Sequence, residues 1–412
     1  MTLDLPVQRR PAAVIGGLAL LSIGWTGLLI PSLIRSIEAT FDQTDAGIGL
    51  VYFLYSIAYA AGSLGGGAVT ERVGRRTVLV GAALLHAAGL AGLGLAGSWP
   101  LYVVVTVPAG LGAGVIDGGA NGLFLDLFRS GRGRAMNLLH LCFSVGALSA
   151  PLVAGTLVSE GAPWQLVMVG SGGALVLLAI AFGLIGMPAG RRDLPTTQDE
   201  PTTKDEPAAR ARTGRLLTRP LVLLGVGIGC YVASEVGVSN WLVRFLEPAP
   251  LSTATLALSL FWAGIAAGRL ISSQIADRFD HLDFTIACAG LLAVMLAGAI
   301  LIPVLPFSIG LFALSGLASG PIFPMIVALG GERFPERSAA VGGFLTGVGV
   351  IGGTIYPPAM GLLSVTVGLP VAMLGNVVLA VACTMALAAV RWSLGGRHAP
   401  PSPRLPEPPR AA

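Results

Sequence analysis

Charge is what this sequence has least of. Only 11% of its 412 residues are Asp, Glu, Lys or Arg, where soluble domains carry about 25%. So few charges cannot cover a surface that faces water on every side, which excludes an ordinary soluble enzyme or binding module. Cysteine is also sparse. Cys142, Cys230, Cys288 and Cys383 each sit inside an apolar run, with no paired spacing and no neighbouring His or Asp. They read as small packing residues rather than a metal or redox site. There is no phosphate-cradling glycine loop, no zinc-ligand spacing and no nucleophile–base pair, and no basic patch is interleaved with aromatics. The chain is therefore not read as an enzyme, and no metal, cofactor or nucleic-acid partner is expected.

What is abundant points to lipid. Hydrophobic residues make up 54% of the chain, 58 residues are glycine and the mean hydropathy is +0.80. Small residues let helices pack closely in a bilayer, where apolar bulk alone drives no association. Runs of about 20 apolar residues match the roughly 30 Å hydrocarbon core. Twelve occur, near 13–34, 46–68, 77–97, 101–124, 135–158, 164–186, 220–243, 254–275, 284–303, 307–329, 339–363 and 369–391. Arg9 and Arg10 ahead of the first run resemble a signal peptide, but no small-x-small cleavage site precedes a soluble domain. The first run reads as an uncleaved membrane helix. The fold class expected is an all-α polytopic membrane protein.

The twelve runs fall into two sets of six. Between them, Ala189 to Arg219 is rich in Pro, Thr and charge, and reads as a flexible linker. The expected organisation is a six-helix bundle at 1–188, a linker at 189–219, a second bundle at 220–396 and a disordered tail at 397–412. The sets repeat at an offset of 206 residues: Ala61-Gly62 through Glu71-Arg72 matches Ala267-Gly268 through Asp277-Arg278. Gly110-Leu111 maps onto Gly316-Leu317, and Gly146, Pro151 and Gly155 map onto Gly352, Pro357 and Gly361. Two parallel six-helix repeats are the plan of a rocking secondary transporter with its solute site between the halves. Of the 25 basic residues, only Arg35 and Arg244 fall in outward loops and Arg269 within a run. The rest lie on one side, which places both termini in the cytoplasm and the chain in the cytoplasmic membrane.

The loop after the second run reads Gly67-x-x-x-Glu71-Arg72-x-Gly74-Arg75-Arg76, with a degenerate copy at Asp277-Arg278. Glycine permits the tight turn, and the carboxylate and arginines can pair across helix ends. The structural alternative is a basic loop that only obeys the orientation rule. As a gate, these charges would hold the outward-open state and part on inward opening. Transport at the parental rate in a Glu71→Gln/Arg72→Ala double variant would sink that reading.

Carboxylates inside the runs are the sharper signal, because charge at the bilayer centre is costly. Asp117 lies deep in the fourth run, with Asn121 one turn on along the same face. Its repeat-related position is Phe323, so the acid is not common to both halves. Glu235 lies in the seventh run, ahead of Asn240 and Trp241. Either acid could take up and release a proton during a cycle, accept hydrogen bonds from a polyhydroxyl solute, or make a structural pair. His140, in the fifth run, is either a packed histidine or a proton relay, and Asn137 either starts a helix or contacts solute. Trp25, Tyr52, Tyr55, Tyr59, Trp241, Trp262 and Tyr356 could stack on sugar faces or anchor and pack. Trp25, Tyr55, Trp241 and Trp262 are the candidates chosen.

The glycine–arginine loop closely resembles the signature loop of the major facilitator superfamily, with Glu71 where Asp is commoner. Gly114 to Asn121 and Arg134-Ala135-Met136-Asn137-Leu138 through Phe143 look like the helix 4–5 region of the fucose–galactose–gluconate:proton symporter family. Tyr231 to Trp241 and Trp262 to Arg269 are similar to helices 7 and 8 of its sugar-transporting members. The resemblance implies that Asp117 is the proton-coupling acid, with Asn121 and Asn137 as its polar neighbours. Fucose permeases carry a second acid in helix 1; Ser22 to Ser32 contains none, and Glu235 is the candidate to replace it.

The expected function is secondary active transport of a small polar solute, a sugar, by alternating access in a monomer. Protons, or sodium in their place, would be the coupling ion. Efflux of amphipathic drugs by proton antiport is the alternative within transport. A receptor would need a signalling domain and an enzyme a clustered catalytic set, and the sequence offers neither.

Overall fold

The computed structural model describes residues 8–128, 132–188 and 218–393. In chain order its helices are α1 (Arg9–Gly27), α2 (Leu29–Phe41), α3 (Asp45–Val73), α4 (Arg75–Leu95), α5 (Trp99–Leu127), α6 (Arg132–Ser159) and α7 (Trp164–Leu184). The second set is α8 (Arg219–Phe245), α9 (Leu251–Ile275), α10 (His281–Leu301), α11 (Leu305–Ser319), α12 (Ile322–Arg333), α13 (Ser338–Val367) and α14 (Leu369–Ser393). The pairs α1–α2 and α11–α12 each form one broken span, so the described residues contain twelve helices long and apolar enough to cross a membrane. The chain is a multi-pass membrane protein.

Both breaks come from proline. Pro31 has no N–H for the Gly27 carbonyl, and the helix interrupts at Leu28 before resuming. Pro321 and Pro324 do the same to Leu317 and Gly320, splitting the tenth span, which the sequence reads as continuous. The first span is also longer than its apolar run, because α2 carries Arg35 and Glu38 on to Phe41. The expected linker lies outside the described residues except for its last two positions, of which Arg219 begins α8. The expected tail also lies outside them.

In the first group α3 packs along α5, α4 along α7 and α1 along α6; in the second, α8 packs on α13 and α14, and α9 on α11. Across the groups α3 meets α13 and α6 meets α9. The 206-residue period extends to these contacts. Gly62 lies against the Leu111 carbonyl and Gly268 against that of Leu317; Gly114 lies against the Tyr59 carbonyl and Gly320 against that of Ile265. Each member of the second pair of partners sits 206 residues beyond its counterpart. Large apolar side chains face outward on the outer helices, with Leu177 68%, Leu184 69% and Met385 67% exposed. Lipid, not water, tolerates such a surface. The start of α1 and the end of α7 share one end of the bundle, where the Gln8 N–H donates to the Gly186 carbonyl at 3.1 Å. That is the linker end; the opposite one is the far end.

Candidate functional site

The close approach of α3 and α5 at Gly114 brings Tyr59 against Asp117, one turn further along α5. Asn121 donates its Nδ2 to Asp117 Oδ1 at 3.0 Å and to the Asp117 carbonyl at 2.9 Å. The carboxyl thus accepts from an amide with a phenol beside it, and no arginine or lysine is paired to it among the described residues. At the repeat-related positions the second group has Ile265, Phe323 and Val327. All three polar members are lost together, so the cluster was built into one half only. Tyr55 stacks on Tyr59 with ring centroids 6.4 Å apart and lies beside Thr26. The Thr26 hydroxyl is 3.0 Å from His86 Nε2, and His86 Nδ1 is 2.7 Å from the Ala109 carbonyl. A carbonyl only accepts, so Nδ1 carries a proton. Sequence reasoning passed over His86; a histidine in the middle of an apolar run was the available signal.

In the second group Tyr231 donates its hydroxyl to Glu235 Oε2, one turn along α8. Arg269 on α9 lies in the electrostatic reach of Glu235 and, from the other group, of His140. His140 is exposed beside the contact of α6 with α9. Among the described residues the Arg269 guanidinium makes no hydrogen bond and no ion pair. Arg269 was noted in the sequence only as a breach of the charge pattern. An arginine within a membrane span was the available signal for it. Asn137, one turn before His140, is exposed.

The aromatic candidates divide. Trp262 sits at the seam between groups, its ring centroid 5.8 Å from that of Phe143, and its buried Nε1 has no partner. Trp241 is 0% exposed, donates to the Pro357 carbonyl at 3.0 Å and stands edge-on to Tyr52. It offers no surface to a solute in this conformation. Trp25 donates to Ser171 on α7 at 2.8 Å. Its N–H is used in packing within the first group. Asn240 receives the Tyr52 hydroxyl on its backbone carbonyl at 3.0 Å.

At the signature loop, Gly74 alone separates α3 from α4, and its φ of 87° is one that side chains avoid. Gly67 is helical with open space around it. Arg75 is nearly buried, bonded to Asp126 at the end of α5 and to the Pro188 carbonyl at 3.2 Å. Arg76 is half-buried, while Glu71, Arg72, Asp277 and Arg278 are exposed. Glu71 and Arg72 make no ion pair among the described residues.

The far end holds what the sequence did not reveal. Arg244 of the second group meets Glu38 and Asp45 of the first at 2.9 and 3.0 Å. Arg35 reaches across to the Val243 and Ala249 carbonyls, and Ser364 donates to Asp45 at 2.7 Å. These bonds close the two groups against each other at that end. A separate apolar groove of about 580 Å³ lies among α1, α5 and α6 near the linker end, lined by residues such as Leu18, Phe124 and Leu138 with Arg134 at its rim.

Comparison with known proteins agrees with this architecture. The chain is 25% identical over 370 residues to a glucose/galactose transporter of Brucella abortus, covering 84% of this chain and 85% of that one. It is 27% identical over 389 residues to multidrug resistance protein D of Escherichia coli, covering 88% and 91%. Among solved structures, a bacterial homolog of the human lysosomal transporter Spinster, in an inward-facing and unoccupied conformation, superposes with a TM-score of 0.75 at 17% identity over 95% of this chain and 99% of that one. Residues 13–306 and 249–411 match the Major Facilitator Superfamily, and with twelve spans in paired repeats, the chain belongs to that family of transporters, not to the enzymes.

Proposed function

We propose that the chain is a proton-coupled importer of a monosaccharide-type solute, working by alternating access in the cytoplasmic membrane with both termini inside. The six-helix units 1–188 and 220–396 rock about the site, and the linker 189–219 joins them. Asp117 carries the proton. The solute is held between the halves by Glu235, Arg269, Asn121 and His140, with Trp262 as its stacking face. The Glu71 loop and Asp277-Arg278 latch the linker end when it closes.

One observation carries this reading. Tyr59, Asp117 and Asn121 form a polar cluster deep in a membrane-spanning helix pair, and the repeat replaces all three with apolar residues. Symmetric scaffolding does not need an asymmetric acid, whereas a proton carrier does. The glucose/galactose relative supports a sugar as solute. In vesicles with an acidic outer medium, labelled glucose should accumulate in the parent. Asp117→Asn should lower accumulation at least tenfold and leave glucose counterflow nearly intact, because exchange needs no proton cycle. Accumulation unchanged by the substitution would overturn the assignment of Asp117.

The second reading is proton-antiport efflux of amphipathic compounds. The apolar groove among α1, α5 and α6 and the multidrug relative favour it. Acid-driven extrusion of an amphipathic cation from the same vesicles, without glucose uptake, would put it first.

A further inference from the structure

The far-end seam contains more acid than base. Arg244 offers a single N–H, at Nε, to two carboxylates: Glu38 Oε2 at 2.9 Å and Asp45 Oδ1 at 3.0 Å. Those side chains are only 11% and 9% exposed. The guanidinium's Nη1 is taken by Glu247. Arg35, the other cation facing the seam, spends its donors on the Val243 and Ala249 carbonyls. The Tyr52 hydroxyl, which borders the cluster, is committed to the Asn240 carbonyl. Glu247 is 61% exposed and hydrated, so Glu38 and Asp45 are left to share one guanidinium N–H where water is nearly excluded. An uncompensated charge there is costly, and one N–H cannot satisfy two carboxylates.

The oxygens show where relief would come. Both Asp45 oxygens have donors, Arg244 on one and Ser364 on the other. Glu38 Oε2 has Arg244, but Glu38 Oε1 is buried and has no partner. The two carboxyls lie within hydrogen-bonding reach of each other. A proton on Glu38 would remove the surplus charge and turn an orphaned acceptor into a donor.

We propose that the shut far end binds one proton, on Glu38 and shared with Asp45, and that opening this end releases it. The inference rests on the alternating-access reading, because Glu38 and Asp45 belong to one half, and Arg244, Glu247 and Ser364 to the other. When the halves part, each carboxylate is hydrated by itself and its proton leaves to the far-end solution. The proton returns to the side it came from, so it is not cargo. It is a site separate from Asp117 that biases the protein toward the shut far end when the far-end solution is acidic.

The test needs no transported solute. Spin labels at Ala39→Cys and Ser252→Cys, two exposed positions on opposite sides of the seam, report the far-end separation in full-length protein whose native cysteines are replaced. With one linked proton, the ratio of open to shut forms should rise with pH by at most about tenfold per unit. Glu38→Gln, a neutral isostere of the protonated acid, should stay shut and lose that pH dependence. Asp117→Asn should keep it. Equal distance distributions in the parent at pH 5 and pH 8 would overturn the proposal. So would a Glu38→Gln protein that keeps the parental dependence, or an Asp117→Asn protein that loses it. Loss of transport in Asp117→Asn bears on the coupling site alone, so the two readings fail separately.

Discussion

Arg75 and His281 stand at the same place in the two repeats, 206 residues apart, and each reaches an acid on the helix that ends beside it. Arg75 pairs with Asp126, and His281 Nδ1 lies 2.9 Å from Glu332. The acids are themselves 206 residues apart. The repeat therefore preserves the contact while changing its chemistry. A guanidinium 9% exposed becomes an imidazole 29% exposed, and Arg278 beyond the other end of the turn stays exposed.

The two pairs should contribute unequally. Exposed ion pairs are worth about 0.2–1 kcal/mol, and both acids are well exposed, at 45% and 55%. The difference lies in the base. Asp126→Asn leaves a nearly buried, permanently charged guanidinium with only the Pro188 carbonyl bonded to it among the described residues, whereas Glu332→Gln leaves an imidazole that can be neutral. Asp126→Asn should cost about 1 kcal/mol and Glu332→Gln about 0.3 kcal/mol. Melting temperatures of the two variants in the same lipid discs check this, and equal shifts would contradict it.

Helix approach in this fold is set by backbone contact at particular glycines. A methyl group on Gly114 would overlap the Tyr59 carbonyl, while one on Gly81 would meet nothing within 4 Å. Gly114→Ala should destabilise by about 1–3 kcal/mol and also move Tyr59 off Asp117, lowering coupled uptake. Gly81→Ala removes a weak helix former from an exposed position and should be neutral or stabilising by up to about 1 kcal/mol. If both variants melt alike, the α3–α5 contact is looser than its geometry states.

The membrane spans and their repeat were legible in the sequence because both are patterns along the chain: apolar length and a constant offset. Asp117 with Asn121 was legible for the same reason, since an i, i+4 pair on a helix needs no tertiary knowledge. The far-end cluster was not. Glu38 and Asp45 look like ordinary acids at helix ends, and their partner Arg244 lies 199 residues beyond Asp45. Ser364 is 319 residues from Asp45. The surroundings of Trp25 and Trp241 were not legible either, because residue type and helix number do not say which way a ring points. Trp25 faces α7 and Trp241 faces Pro357. Burial of their N–H groups is a tertiary fact with no local signature.

Arg269 provides the sharpest test of where the solute sits. A guanidinium offers five donors, and this one lies within a membrane span with no hydrogen bond or ion pair among the described residues, between Glu235 of its own group and His140 of the other. An arginine there for structure would have its donors spent on carbonyls, as Arg35 has at the far end. Arg269→Gln should therefore leave the melting temperature almost unchanged while raising the half-saturation for sugar uptake at least tenfold, about 1.4 kcal/mol of lost binding. Arg269→Lys should recover part of the affinity if charge is what the solute meets, and little if two parallel donors are required. A variant that melts several degrees lower and binds the sugar normally would instead make Arg269 a strut between α9 and the seam. Glu235 would then be the residue whose partner had been lost, and its own substitution should reproduce the same fall in stability.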